Sequence, residues 1–280
     1  MAKKYSLGGQ ALIEGVMILN KEKRTSSIAV RKGRKIILKR EKLKFKEPDI
    51  PFIRGVVNLF IILYIGIKAL NYSTNVSLGK DEKISFSEIF ITIIFAMIFG
   101  LLIFKFLPLL FTTWFDRQAS FNNIIFNIIE GIIKIGIFVL YVYLISLTKD
   151  VYRVFQYHGA EHKAVACYEA GKKLTVRNVQ KFRTEHKRCG TSFIFLVLIV
   201  SVIIYSFIPK DFGFWLKLFL RIILLPVIAG ISYEILKLGA RYSWFSWVSY
   251  PGLWIQKITT KQPDDKMAEV AIKAAKGALR

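Results

Sequence analysis

Five apolar runs of near-membrane length constrain this chain more than any other feature. They are Phe52–Leu70, Ile89–Phe111, Ile124–Leu147, Phe193–Ile208 and Phe214–Leu236. A helix needs about 20 apolar residues to cross a bilayer, and only helices or closed barrels satisfy their backbone polar groups there. Hydrophobic residues make up 54% of the 280 and aromatics 14%, above the usual soluble range. The third run carries Glu130 and Lys134, an i,i+4 pair that either neutralises itself on one helix face or turns into the bundle, where it would line a path for transport. The fifth carries Lys217 and Arg221 near its start, where long side chains can snorkel to the interface.

Charge sets the orientation. The chain has 42 Lys/Arg against 19 Asp/Glu, a net +23, and 33 of the 42 lie in residues 1–54, 148–192 and 237–280. The positive-inside rule makes all three segments cytoplasmic. The basic residues flank apolar runs and do not interleave with aromatics, so the implied partner is a lipid bilayer and not a nucleic acid. Three spans before residue 148 would put the first two basic segments on opposite sides. The run at 52–70 is the weakest, with Arg54 and Lys68 at its ends and Gly55 and Gly66 inside it. It is expected to be an interfacial or re-entrant helix, which leaves four spans as two hairpins.

The expected fold is therefore a mainly α, polytopic membrane helix bundle with both termini cytoplasmic. Residues 1–50 form a basic region with a small β-hairpin around Lys32-Gly33, and 51–147 the interfacial helix and first membrane hairpin. Residues 148–192 form a cytoplasmic His/Cys loop, and 193–238 the second hairpin. Residues 239–280 are an interfacial and cytoplasmic tail with three tryptophans and a short amphipathic helix. No cleaved signal peptide is read in the first 24 residues, whose apolar stretch is interrupted by Gln10 and Glu14.

The chemistry concentrates in "YHGAEHKAVACYE" and "TEHKRCGTSF". On a helix His158, Glu161, His162, Val165 and Glu169 share one face, and Cys167 points away as a small buried residue. Two imidazoles one turn apart can bind one ion, and a neighbouring carboxylate can take a proton from water. His-x-x-Glu-His is also the order of inverted zinc peptidases. His186 and Cys189, three apart, supply further ligands, and the thiolate favours zinc among divalent metals. All three histidines of the chain fall between 158 and 186. Glu14 and Glu234 are secondary candidates, with Glu169: Glu14 and Gln10 sit in a glycine-flanked segment, and Glu234 lies well downstream of the peptidase-like motif. Two cysteines, Cys167 and Cys189, make no disulfide framework, which suits a reducing compartment.

The stretches "GGQALIEGVMI", "YHGAEHKAVACYEAG", "HKRCGTSF" and "PGLWIQKITTKQPDD", in that order, resemble the YqhQ-like family of bacterial membrane proteins of unknown function. The resemblance implies a multi-pass protein of the bacterial plasma membrane, of a kind labelled predicted metal-dependent enzymes, with no established substrate.

The leading expectation is a metal-dependent, hydrolase-like enzyme at the cytoplasmic interface. His158, His162, His186 and Cys189 are the ligand candidates, Glu161 the general base, and a peptide or lipid-linked molecule the substrate. Four protein ligands would instead close a structural zinc site on a scaffold or assembly factor. Homo-oligomerisation stays open.

Overall fold

The computed structural model describes residues 7–43, 50–78 and 86–280. The chain begins with a four-stranded antiparallel meander, β1 (Leu7–Leu12), β2 (Gly15–Asn20), β3 (Thr25–Lys32) and β4 (Lys35–Lys42), in that spatial order. The hairpin expected around Lys32-Gly33 is β3–β4, with Gly33 at φ 58° in the turn. The expectation of two strands is too small by half, and β2 shows why. Val16 and Ile18 enter one core while Met17 and Leu19 enter another, so both faces are covered. "GVMILN" therefore lacks the polar alternation of a half-exposed strand.

The helices that follow are α1 (Ile53–Leu78), α2 (Phe86–Leu101), a π-helical segment (Leu102–Phe106), α3 (Leu107–Ala119), α4 (Asn123–Ser146), α5 (Lys149–Glu169) and α6 (Val176–Val179). Then come α7 (Gly190–Tyr205), α8 (Phe214–Ile223), α9 (Leu225–Arg241), a 3-10 segment (Ser243–Ser249), α10 (Tyr250–Thr259) and α11 (Asp265–Leu279).

The sheet is a layer between helices. On one face Leu7, Val16, Ile18 and Ala29 pack with Tyr157, Ala160 and Ala164 of α5 and with the alanine-rich side of α11. On the other, Leu12, Met17, Ile28 and Val30 pack with Ile65 and Ala69 of α1. The short amphipathic helix expected at the C-terminus is thus α11, a central core element capped by Asp264, whose side chain accepts from Met267 N at 2.7 Å. Gly277 lies so close to Ser27 that a Cβ there would collide with its hydroxyl. Small residues let this helix lie almost on the strands. The three basic segments read from the sequence thereby converge on one polar domain.

Among the described residues three helical rods are long and apolar enough to cross a membrane: 53–77, 90–119 and 123–146. A fourth arises if α8 and α9, bent by 43°, count as one span, and α7 is a shorter apolar helix. The second run, expected at Ile89–Phe111, continues past Lys105 and Pro108 as far as Ala119. Pro108 falls in the first turn of α3, just after the π-helical segment, where its missing N–H is tolerated. The fifth run breaks at Leu224, just before Pro226. The run at 52–70 is no broken re-entrant loop: it belongs to the continuous 26-residue α1.

Candidate metal centre

α5 presents His158 and His162 one turn apart, with ring centroids 4.3 Å from each other. The His158 Nδ1 donates to the Thr259 carbonyl at 2.9 Å, and the His162 Nδ1 to the Thr184 carbonyl at 2.5 Å. A ring nitrogen facing a carbonyl must carry the hydrogen, so both Nε2 atoms keep free lone pairs. Metal-ligating histidines are typically held this way, with the far ring nitrogen bound to a carbonyl. Cys189 is the N-cap of α7, and its Sγ lies 3.3 Å from His158 Nε2. The ligand atoms of His158, His162 and Cys189 all fall within 4.8 Å of one another.

The other candidates occupy different places. His186 stands beside His162, with centroids 5.6 Å apart, but its Nε2 meets Glu169 Oε2 at 3.2 Å. Glu169 also pairs with Arg188, so both groups buttress the loop and stay outside the converging triplet. Glu161 borders the triplet: it is buried, with Oε2 3.6 Å from His162 Nε2. Glu14 lies in the β1–β2 turn at φ 52°, bound to Arg153 and to the Tyr157 hydroxyl at 3.1 Å, away from the centre. Gln10 packs its side chain on Gly66 of α1. Glu234 accepts from Arg54 Nε at 2.7 Å, tying α9 to the start of α1. Cys167 is wholly buried in the α5–sheet core.

Burial dominates the electrostatics. It holds the His162 ring well below its ordinary pKa, helped by the neighbouring His158 and His186, so this ring stays neutral. His186 is lowered for the same first reason. Burial raises the Glu161 carboxyl against the opposing pull of His158, His186 and Arg188. It pushes the Cys189 thiol up to about 11, although Thr191 donates to the sulfur from its backbone N–H and its hydroxyl lies 3.2 Å away. A cation here would have to displace that proton, as metals bound to thiolates do.

Several contributors were not singled out in the sequence. Gln256 of α10 accepts from His186 N at 2.7 Å and donates to His186 O at 3.1 Å and Ser192 Oγ at 3.2 Å, clamping the loop as a neighbouring strand would. Gly252 lies against Ser192, and Gly159 against the Lys261 carbonyl, so tightly that no Cβ fits at either. A Cβ on Gly9 would stand 2.7 Å from the Glu161 side chain, so β1 forms the wall behind that carboxyl. The available signal was the run "PGLWIQKITT". Its tryptophan suggests a membrane interface, yet its Gly, Gln and Thr hold the centre.

Comparison with known proteins adds a family. A profile described as "Protein of unknown function (DUF1385)" matches residues 50–280. The chain belongs to this family. It is also 36% identical, over 98% of its length, to the "Uncharacterized protein YqhQ" of Bacillus subtilis (strain 168), covering 92% of that protein. No solved structure matches. The DUF1385 region includes every residue of the centre except Gly9, which the YqhQ-like alignment spans through its near-complete coverage.

Proposed function

We propose that this protein is a membrane-embedded, metal-dependent hydrolase whose centre faces the cytoplasmic membrane surface. His158, His162 and Cys189 would hold the ion and Glu161 would be the general base. The observation that carries the reading is the pair of Nδ1–carbonyl hydrogen bonds, which leaves two imidazole lone pairs converging beside a thiol. The donor set fits zinc: two neutral nitrogens and one sulfur, with carbonyl partners behind the rings. Three protein ligands leave a position open, the pattern of catalytic sites. A zinc ion bound there supplies Lewis acidity to a water or a substrate carbonyl or phosphoryl oxygen.

The chain's own groups do the rest. Glu161 is buried beside His162, and burial raises its carboxyl above the ordinary carboxylate value; its role would be to take a proton from water and return it. His158 is the least buried of the three ligands and marks the side from which a substrate arrives. The exposed aromatics Trp244, Trp247 and Trp254 suit the membrane interface, which makes peptide or lipid-linked molecules the natural substrate class.

A structural zinc site on a scaffold is the second reading, favoured by the deep burial of His162, Glu161 and Cys189. Metal analysis of the purified protein, paired with Glu161→Gln, separates the two. The catalytic reading expects about one equivalent of zinc in both proteins and a loss of cellular function in the variant of roughly 100-fold or more. Normal function in a zinc-loaded variant leaves the structural reading. Absence of zinc from the wild type removes both.

A further inference from the structure

A second polar cluster lies inside the helix bundle, well away from the metal centre. Glu130 and Lys134 precede the end of α4 at Ser146 by 12 residues or more, about 18 Å of helix, and the histidines lie beyond that. Around them converge Lys105 from the π-helical segment, Lys217 and Arg221 from α8, and Tyr205 from α7. All six side chains are more than nine-tenths buried. Arg221 donates to both Glu130 oxygens and to Asn127 Oδ1 at 3.0 Å, and Lys134 Nζ lies 3.4 Å from Glu130 Oε1. Lys105 donates to the Tyr205 hydroxyl at 2.8 Å, and Lys217 to the Lys210 carbonyl at 2.9 Å.

The charges do not balance. Among the described residues Glu130 is the one carboxylate buried with these four basic side chains, and the acid Asp116 lies outside the cluster, 3.7 Å from Lys210. Lys105, Lys134 and Arg221 crowd one ring, that of Tyr205, at 4.9, 4.8 and 5.1 Å from its centroid. Like charges at such range in a low-dielectric interior repel strongly and lose their hydration. The Arg221 NH1 nitrogen, buried with the rest of its side chain, has no hydrogen-bond partner. Lys105 also sits in a π-helical turn, a distortion that recurs at functional sites.

We infer that Lys105, Lys134, Lys217 and Arg221 form an intramembrane anion site for a phosphate group, carried on a lipid headgroup or entering as free phosphate. A phosphate supplies the missing negative charge and several acceptors, one of them for Arg221 NH1. Glu130 holds Arg221 and Lys134 in place from the opposite side, while Lys105 and Lys217, which make no ion pair with it, supply the free positive charge.

The test uses the full-length protein in a neutral detergent, with native mass spectrometry and thermal unfolding. The probes are phosphatidic acid, phosphatidylcholine and inorganic phosphate. The expected result is a retained 1:1 adduct and a raised Tm with phosphatidic acid and not with phosphatidylcholine. A comparable Tm rise with inorganic phosphate identifies the free ion as the ligand, and its absence identifies the lipid. Lys105→Met and Lys217→Met each weaken binding roughly tenfold, about 1.4 kcal/mol. Equal binding of the two lipids together with no response to phosphate overturns the site, as does undiminished binding by both variants. Should a variant fail to fold, the wild-type comparison of probes still decides.

Discussion

Glu14 illustrates how a single side chain can look like a site residue and serve the fold. Its carboxylate joins the β1–β2 turn to α5 through Arg153 and Tyr157. The Arg153 hydrogen bond holds its pKa below the ordinary carboxylate value, against partial burial that raises it. The sign follows from linkage: a depressed folded pKa contributes stability that is present above the unfolded value of 4.5 and is lost as pH falls through the lower folded value. Arg153 is half exposed, so the contribution is only about 1 kcal/mol. Glu14→Gln is expected to lower Tm slightly at pH 7 and to flatten its acid limb below about pH 4.5. Identical acid limbs in the two proteins would show that the pair contributes nothing. The expected face of His158, Glu161 and His162 follows from helical spacing alone, whereas the ion-pair role of Glu14 depends on a turn and a helix that meet 139 residues apart.

At the scale of elements, α10 connects membrane and chemistry. It lies against the start of α7, touches the loop before it through Gln256, and ends with Thr259 facing His158. Replacing Gln256 by leucine leaves the His186 N–H and C=O without their partners, a loss of about 3 kcal/mol. Gln256→Leu is thus expected to lower the denaturant midpoint and, through the loosened loop at Cys189, the occupancy by zinc that is proposed for the centre. A variant with both quantities unchanged would contradict the clamp. This element was legible only in part. Long apolar helices announce themselves through lipid-compatible runs, and α4 begins and ends within a residue of its expected limits. Gln256 offers no such signal, because one buried glutamine has no period and its partner is a backbone 70 residues away. β1 and β2 hid for the related reason that their apolar residues serve two cores. His186 matched ligand spacing with Cys189, and only tertiary structure turns its ring toward Glu169.

For the whole molecule, the decisive issue is which side each connection occupies, and α1 sets it. Its length and apolarity permit a crossing, and its contacts run from α9 at its start to the sheet along its later half. Near its start Arg54 pairs with Glu234, two turns from the end of α9, and Asn58 donates to Tyr233 at 2.9 Å. Its later half lies under the sheet, with Ile65 and Ala69 in the core and Lys68 bound to Glu41 of β4 at 2.9 Å. That sheet belongs to the same domain as α5 and α11 and carries lysines and arginines that require water. The expectation is that a helix fastened to the sheet in this way keeps both of its ends on one membrane face. Cysteines introduced one at a time at Ser77, Gln118 and Lys173, in a Cys167→Ser background that keeps the buried Cys189 as the unlabelled baseline, test this with a membrane-impermeant maleimide on intact cells. Labelling is expected at 118 without permeabilisation, and at 77 and 173 only after it. Label at 77 from outside would make α1 a true span. It would also place the sheet and α5 on opposite sides of the bilayer, which their shared core forbids.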